Sequence, residues 1–130
     1  MQSVFEHDDY RKYFVERLAE IYGSQHGSLS AAAKVMGCQP GYLTQILQGR
    51  ANLSAEQVDR INQYFSHSIQ ESRYFFHLVQ LERAGTESLR KFISSELQIQ
   101  KAQREKTYVV RQERRTGNDL GQKEMRRATD

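Results

Sequence analysis

The sequence predicts an all-α protein: five helices in one domain, a further helix after them, and a basic flexible tail. Three observations carry this. Apolar residues recur three and four apart through most of the first 100 positions, the spacing that places them on one helix face. The strict alternation expected of strands is nearly absent. Glycines, the single proline and capping residues fall at the ends of the periodic runs.

The first helix is predicted from Tyr10, Tyr13, Phe14, Leu18 and Ile21, with the aliphatic stem of Arg17 on the same face. Asp8 or Asp9 caps its start, where a carboxylate meets the positive end of the helix dipole. Gly23 and Gly27 end it and bracket a polar turn. A second helix is expected from a cap at Ser28 to Met36, stopping at Gly37. A third starts near Pro40, because proline suits a first helical position, where its missing N–H would be unpaired anyway. It runs to about Leu47 and Gly49 closes it. Ser54 and Gln57 have the spacing of a capping box and open a fourth helix that buries Val58, Ile61 and Phe65.

Residues 70–84 form the expected fifth helix, with Tyr74, Phe75, Leu78, Val79 and Leu81. It is apolar on more than one face, which marks it for core or for an interface. Gly85 interrupts, and Thr86 caps a sixth helix with Leu89, Phe92, Ile93 and Leu97 three to four apart. Beyond about Lys106 the pattern fades. Thr107-Tyr108-Val109-Val110 reads as a β-prone patch, and 111–130 as polar chain with room for a late helix near Gln122–Ala128. The expected organisation is a domain at 1–67, a helical extension at 68–105 that could serve dimerisation, and a tail at 106–130.

The segment from Leu29 to Gln48 holds the functional signal. Two helices packed at a steep angle need a small residue where their backbones approach, and Ala33 fits. They need a residue tolerant of positive φ at the turn, and Gly37 stands four positions later. The second helix must turn apolar residues toward the first, and Leu43 and Ile46 lie three apart, facing Ala32 and Met36. This is the spacing of a helix-turn-helix.

Residues Met36 to Arg50, ending Ile46-Leu47-Gln48-Gly49-Arg50, closely resemble the lambda-repressor-like (Cro-type) superfamily. The opening Val4-Phe5-Glu6 with Asp9-Tyr10-Arg11 resembles a poorly characterised family of bacterial helix-turn-helix proteins. So do Ser28-Leu29, Asn52-Leu53-Ser54 and the Tyr74-Phe75 helix. The likeness covers about residues 4–100 and does not include that family's usual second half. It implies a third helix lying in the major groove of DNA, with Gln39, Gly41, Tyr42, Thr44 and Gln45 as base-reading candidates. Gln45 leads, because a glutamine amide can pair bidentately with adenine. Ser28 and Ser30 would bring the second helix's N–H groups to a phosphate, with Lys34, Arg50 and Asn52 as further phosphate contacts.

Charge agrees with that placement. No acidic residue occurs between Ile21 and Ala55, as suits a surface that approaches phosphates. Residues 101–130 hold 9 Lys/Arg against 5 Asp/Glu, a net +4, whereas residues 1–100 are at −1. Arg114-Arg115 and Arg126-Arg127 can therefore grip phosphate or simply keep a tail solvated. One cysteine, Cys38, excludes an internal disulfide, and no apolar run approaches the ~18 residues of a membrane span. The N-terminus lacks the pattern of a signal peptide, so a cytoplasmic protein is expected. Four scattered histidines, no phosphate loop and no nucleophile motif point away from an enzyme, a metal or a cofactor. The expected activity is sequence-specific binding of double-stranded DNA by a homodimer that regulates transcription. The alternative is an adaptor that keeps the fold and binds only protein.

Overall fold

The computed structural model describes residues 3–23 and 27–116, with side chains described as far as Arg104. Every regular element among them is helical. A short 3-10 turn at Val4–Glu6 precedes α1 (Tyr10–Tyr22), α2 (Ser28–Met36), α3 (Pro40–Leu47), α4 (Ala55–Tyr64), α5 (Ile69–Arg83) and α6 (Glu87–Thr116). No described helix is long and apolar enough to cross a membrane. The chain divides into a unit ending at Leu97 and a second from Gln98, whose described part is the remainder of α6.

The helix ends show why the chain breaks where it does. Asp9 caps α1 by accepting from the Arg11 N–H at 2.9 Å. Ser54 and Gln57 exchange both bonds of a capping box on α4. A second capping box, Ser68 with Glu71, opens α5 and was not read from the sequence. Ser28 is not a cap: it is the first residue of α2, and Gly27 at φ 89° takes the capping position without a side-chain bond. At the far end of α2, Gly37 adopts φ 75°, and the Cys38 N–H reaches back to the Ala33 carbonyl at 3.0 Å. That closure turns the chain sharply into α3.

The core of the first unit is rich in aromatic rings. Tyr10, Phe14 and Phe75 are fully enclosed, with Tyr13 meeting Phe65 edge-on at 6.0 Å. One apolar face of α5 is used internally: Tyr74, Phe75, Leu78 and Val79 are all buried, against α4, α1 and the N-terminal turn, while Ile69 at its start is exposed. Ile21, expected inside, is exposed at the end of α1, and so are Leu89 and Phe92, while Ile93 and Leu97 on α6 are buried. A stripe read as one face is thus split between core and solvent. The β-prone patch Thr107–Val110 is helical, and so is the start of the expected flexible tail at 106–130, because α6 continues to Thr116. Local β-branching is a weak preference, and helical continuation overrides it here. Residues 117–130, with the suggested late helix, lie outside the described residues.

A polar cluster joins α1, α4 and α5 beneath these rings. The Tyr13 hydroxyl lies 2.6 Å from His67 Nε2, and His67 Nδ1 lies 2.7 Å from Asn62 Oδ1. Asn62 Nδ2 donates to the Ser72 carbonyl at 3.4 Å, leaving its Oδ1 as an acceptor. His67 therefore carries its proton on Nδ1, and Nε2 accepts from Tyr13. Burial lowers the His67 pKa and pushes the Tyr13 hydroxyl up to about 12, which keeps both in the neutral forms this pairing needs.

Candidate nucleic-acid interface

The geometry of α2 and α3 starts with small and aliphatic residues. Ala32, Ala33 and Met36 on α2 are buried, as are Leu43 and Ile46 on α3. With no bulk at Ala33 the two backbones can approach closely, and Leu43 and Ile46 then fix which face of α3 is hidden. α3 has eight residues, so few that its outward face is simply what remains.

That outward face is polar and open. Gln39, Gly41, Tyr42, Thr44, Gln45 and Gln48 are all exposed, Tyr42 to 41%. Gln39 caps α3 in an extended conformation with Pro40 at the first position. A methyl group at Gly41 would meet nothing within 4 Å, so the chain in front of it is unobstructed. The Thr44 hydroxyl donates back to the Pro40 carbonyl at 3.1 Å, which leaves its oxygen free to accept. Gln45 stands on the solvent side.

The phosphate candidates are placed less uniformly. Ser30, Lys34 and Arg50 are exposed, and Ser28 is half-buried at the start of α2. Asn52 is half-buried, and its Oδ1 accepts from the Tyr10 hydroxyl at 2.9 Å and from Arg11 Nη2 at 2.8 Å. Its oxygen fixes the loop after α3; a phosphate contact would use its Nδ2 donors, which these bonds do not engage. Cys38, in the turn, is half-buried, and burial pushes its thiol up, so it is a packing residue with little thiolate character.

Two arginines that sequence reasoning passed over complete the site. Arg60 on α4 donates to the Met36 carbonyl at 2.9 Å, bracing the α2–α3 turn from the side. Arg11 on α1 donates to the Ile46 carbonyl at 2.7 Å, in the last turn of α3. Neither lies in the motif, and no spacing rule links position 11 to position 46. Arg11 was legible only as part of the Asp9-Tyr10-Arg11 resemblance.

Two concave sites lie away from α2 and α3. A groove of about 760 Å3 runs past Leu81, Glu82 and Arg90, and a cavity of about 270 Å3 sits by Tyr13, Arg17 and His67. Neither is lined by a residue of α2 or α3. No known protein family, curated protein or solved structure matches this chain.

Proposed function

We propose that the protein binds double-stranded DNA in a sequence-dependent way, with α3 in the major groove, and regulates transcription as a homodimer. The observation that carries this reading is the division of α3. Leu43 and Ile46 lock one face inward, and Gln39, Gly41, Tyr42, Thr44 and Gln45 stand together on the other, in a stretch without acidic residues. An α-helix with that face fits the width of a major groove, and amide and hydroxyl side chains can read base edges there. Ser28, Ser30, Lys34, Arg50 and the Nδ2 donors of Asn52 supply phosphate contacts, which set affinity and register. Few cations attend the motif, so base contacts must contribute a large part of the specific affinity.

Leu89 and Phe92 support pairing of two copies. They are 45% and 63% exposed on α6. A two-fold pair would read two half-sites about 10 base pairs apart. The same exposed residues also favour the adaptor reading, in which a different protein covers them and no DNA is read. Selection of bound sequences from a random duplex pool near physiological salt separates the two. A recovered palindrome with half-sites about one helical turn apart is the expected result. A pool that stays random, or binding that vanishes as salt rises, would refute sequence-specific regulation and point to non-specific grip or to the adaptor.

A further inference from the structure

Arg11 is only 15% exposed, and its guanidinium meets acceptors from α3, from the loop after α3, and from α5. Nε donates to the Ile46 carbonyl at 2.7 Å. Nη2 donates to the Ala51 carbonyl at 3.0 Å and to Asn52 Oδ1 at 2.8 Å. Nη1 donates to Glu82 Oε2 at 3.2 Å. The guanidinium also lies over the Tyr10 ring, 4.6 Å from its centroid, and the Tyr10 hydroxyl donates to the same Asn52 oxygen. Resting on the DNA-binding reading above, we infer that Arg11 is the positioning residue of α3 and that Glu82 ties this position to α5.

A helix of eight residues has little stability of its own, so its pose comes from what holds it. Leu43 and Ile46 supply contact, but apolar contact is non-directional and tolerates small rolls and slides. A charge-assisted bond to the last turn of α3 has a direction. It also sets a positive group at the negative end of the helix. The planar fork of arginine serves the Ile46, Ala51 and Asn52 acceptors at once, and the point charge of lysine cannot. Glu82 is half-exposed, so its pairing with Arg11 adds little stability in isolation. Its effect is geometric, since it orients the guanidinium from the α5 side. Base-edge hydrogen bonds tolerate little misplacement, so the angle of α3 bears directly on sequence discrimination.

The test uses the full chain with R11K and E82Q. Two properties are compared with wild type: the affinity ratio between a selected duplex and an unrelated one, and the amide hydrogen exchange of each helix. R11K should lower the affinity ratio by about tenfold, the size of one lost base-pair contact, and E82Q by a smaller factor. The salt slope should not change in either, since neither residue is proposed to touch phosphate. The amides of Gln48, Gly49 and Arg50, which bond within the end of α3, should exchange faster while those of α4 keep their wild-type rates. A merely structural arginine would lower thermal stability and leave the affinity ratio of the folded protein intact. A folded R11K with the wild-type ratio overturns the inference, and so does a salt slope reduced by about one in R11Q, which removes the charge that R11K keeps and would show Arg11 to be a phosphate contact. If R11K does not fold, an unchanged ratio and unchanged exchange in E82Q overturn it instead. If the wild-type chain selects no sequence, it is the DNA reading that fails, and the exchange pattern alone decides whether Arg11 and Glu82 hold α3.

Discussion

The Arg60 guanidinium occupies the space that a side chain on Gly37 would need, and from there it donates to the Met36 carbonyl at 2.9 Å. Gly37 is therefore required twice, once for its φ of 75° and once for the room it leaves. Gly37→Ala should destabilise the fold by about 1–2 kcal/mol from left-handed strain alone. A further part should come from displacing Arg60 and losing its bond. A double-mutant cycle with Arg60→Ala, read by denaturant unfolding, separates the two. The penalty for Gly37→Ala should shrink when Arg60 is already gone. Equal penalties in both backgrounds would mean that the guanidinium moves aside without cost.

His67 gives the fold a dependence on acid. Burial holds its pKa below the ordinary 6.5, although Glu71 partly opposes that and Arg17 adds to it. The unfolded chain takes up the proton first as pH falls. The stability that His67 contributes is thus complete above about pH 6.5, declines below it, and levels off under the lowered folded value. Thermal unfolding followed from pH 7.5 to 5 should show a falling midpoint through that window, with a shallower fall in His67→Gln. A parallel fall in both proteins would place the acid sensitivity elsewhere.

The α2–α3 unit was legible because its constraints are local. Ala33, Gly37, Leu43 and Ile46 lie within 14 positions, and each does in the structure what its spacing demands. The capping box at Ser54 was readable for the same reason. What escaped was tertiary. Arg11 and Arg60 act through long side chains on carbonyls 35 and 24 positions away, and nothing near them in the sequence marks those targets. The Asn52 oxygen gathers the Tyr10 hydroxyl and the Arg11 guanidinium, a bracing role that its place in the motif does not announce. Leu89 and Phe92 share the helical spacing of Ile93 and Leu97, and only packing decides which of the four is covered.

Ser66 is the one non-glycine residue with positive φ among those described, at 55°, just past the Phe65 C-cap of α4. The His67 N–H reaches back to the Asn62 carbonyl at 3.0 Å, so this conformation closes the helix. Ser66→Gly should relieve left-handed strain of about 1–2 kcal/mol, less the roughly 0.5–1 kcal/mol of extra backbone entropy that glycine loses on folding. A small net gain in unfolding free energy is expected. A loss would show that the serine side chain contributes an interaction worth more than the strain.

Gly41, Gln45 and Arg50 distinguish reading from gripping. Gly41→Ala adds a methyl group in open space within a helix, so the fold should be kept or slightly strengthened. If the α3 backbone approaches DNA closely at Gly41, affinity should fall even though stability does not. Gln45→Ala should cost about 1–3 kcal/mol on the selected sequence and relax the choice at one base position, with the salt slope unchanged. Arg50→Ala should weaken binding to every sequence alike and reduce the salt slope by about one. Competition titrations at several salt concentrations, with selected and scrambled duplexes, measure all three. If Gln45→Ala and Arg50→Ala gave the same profile, the outward face of α3 would be acting as an undifferentiated polar surface, and the base-reading assignment would be wrong.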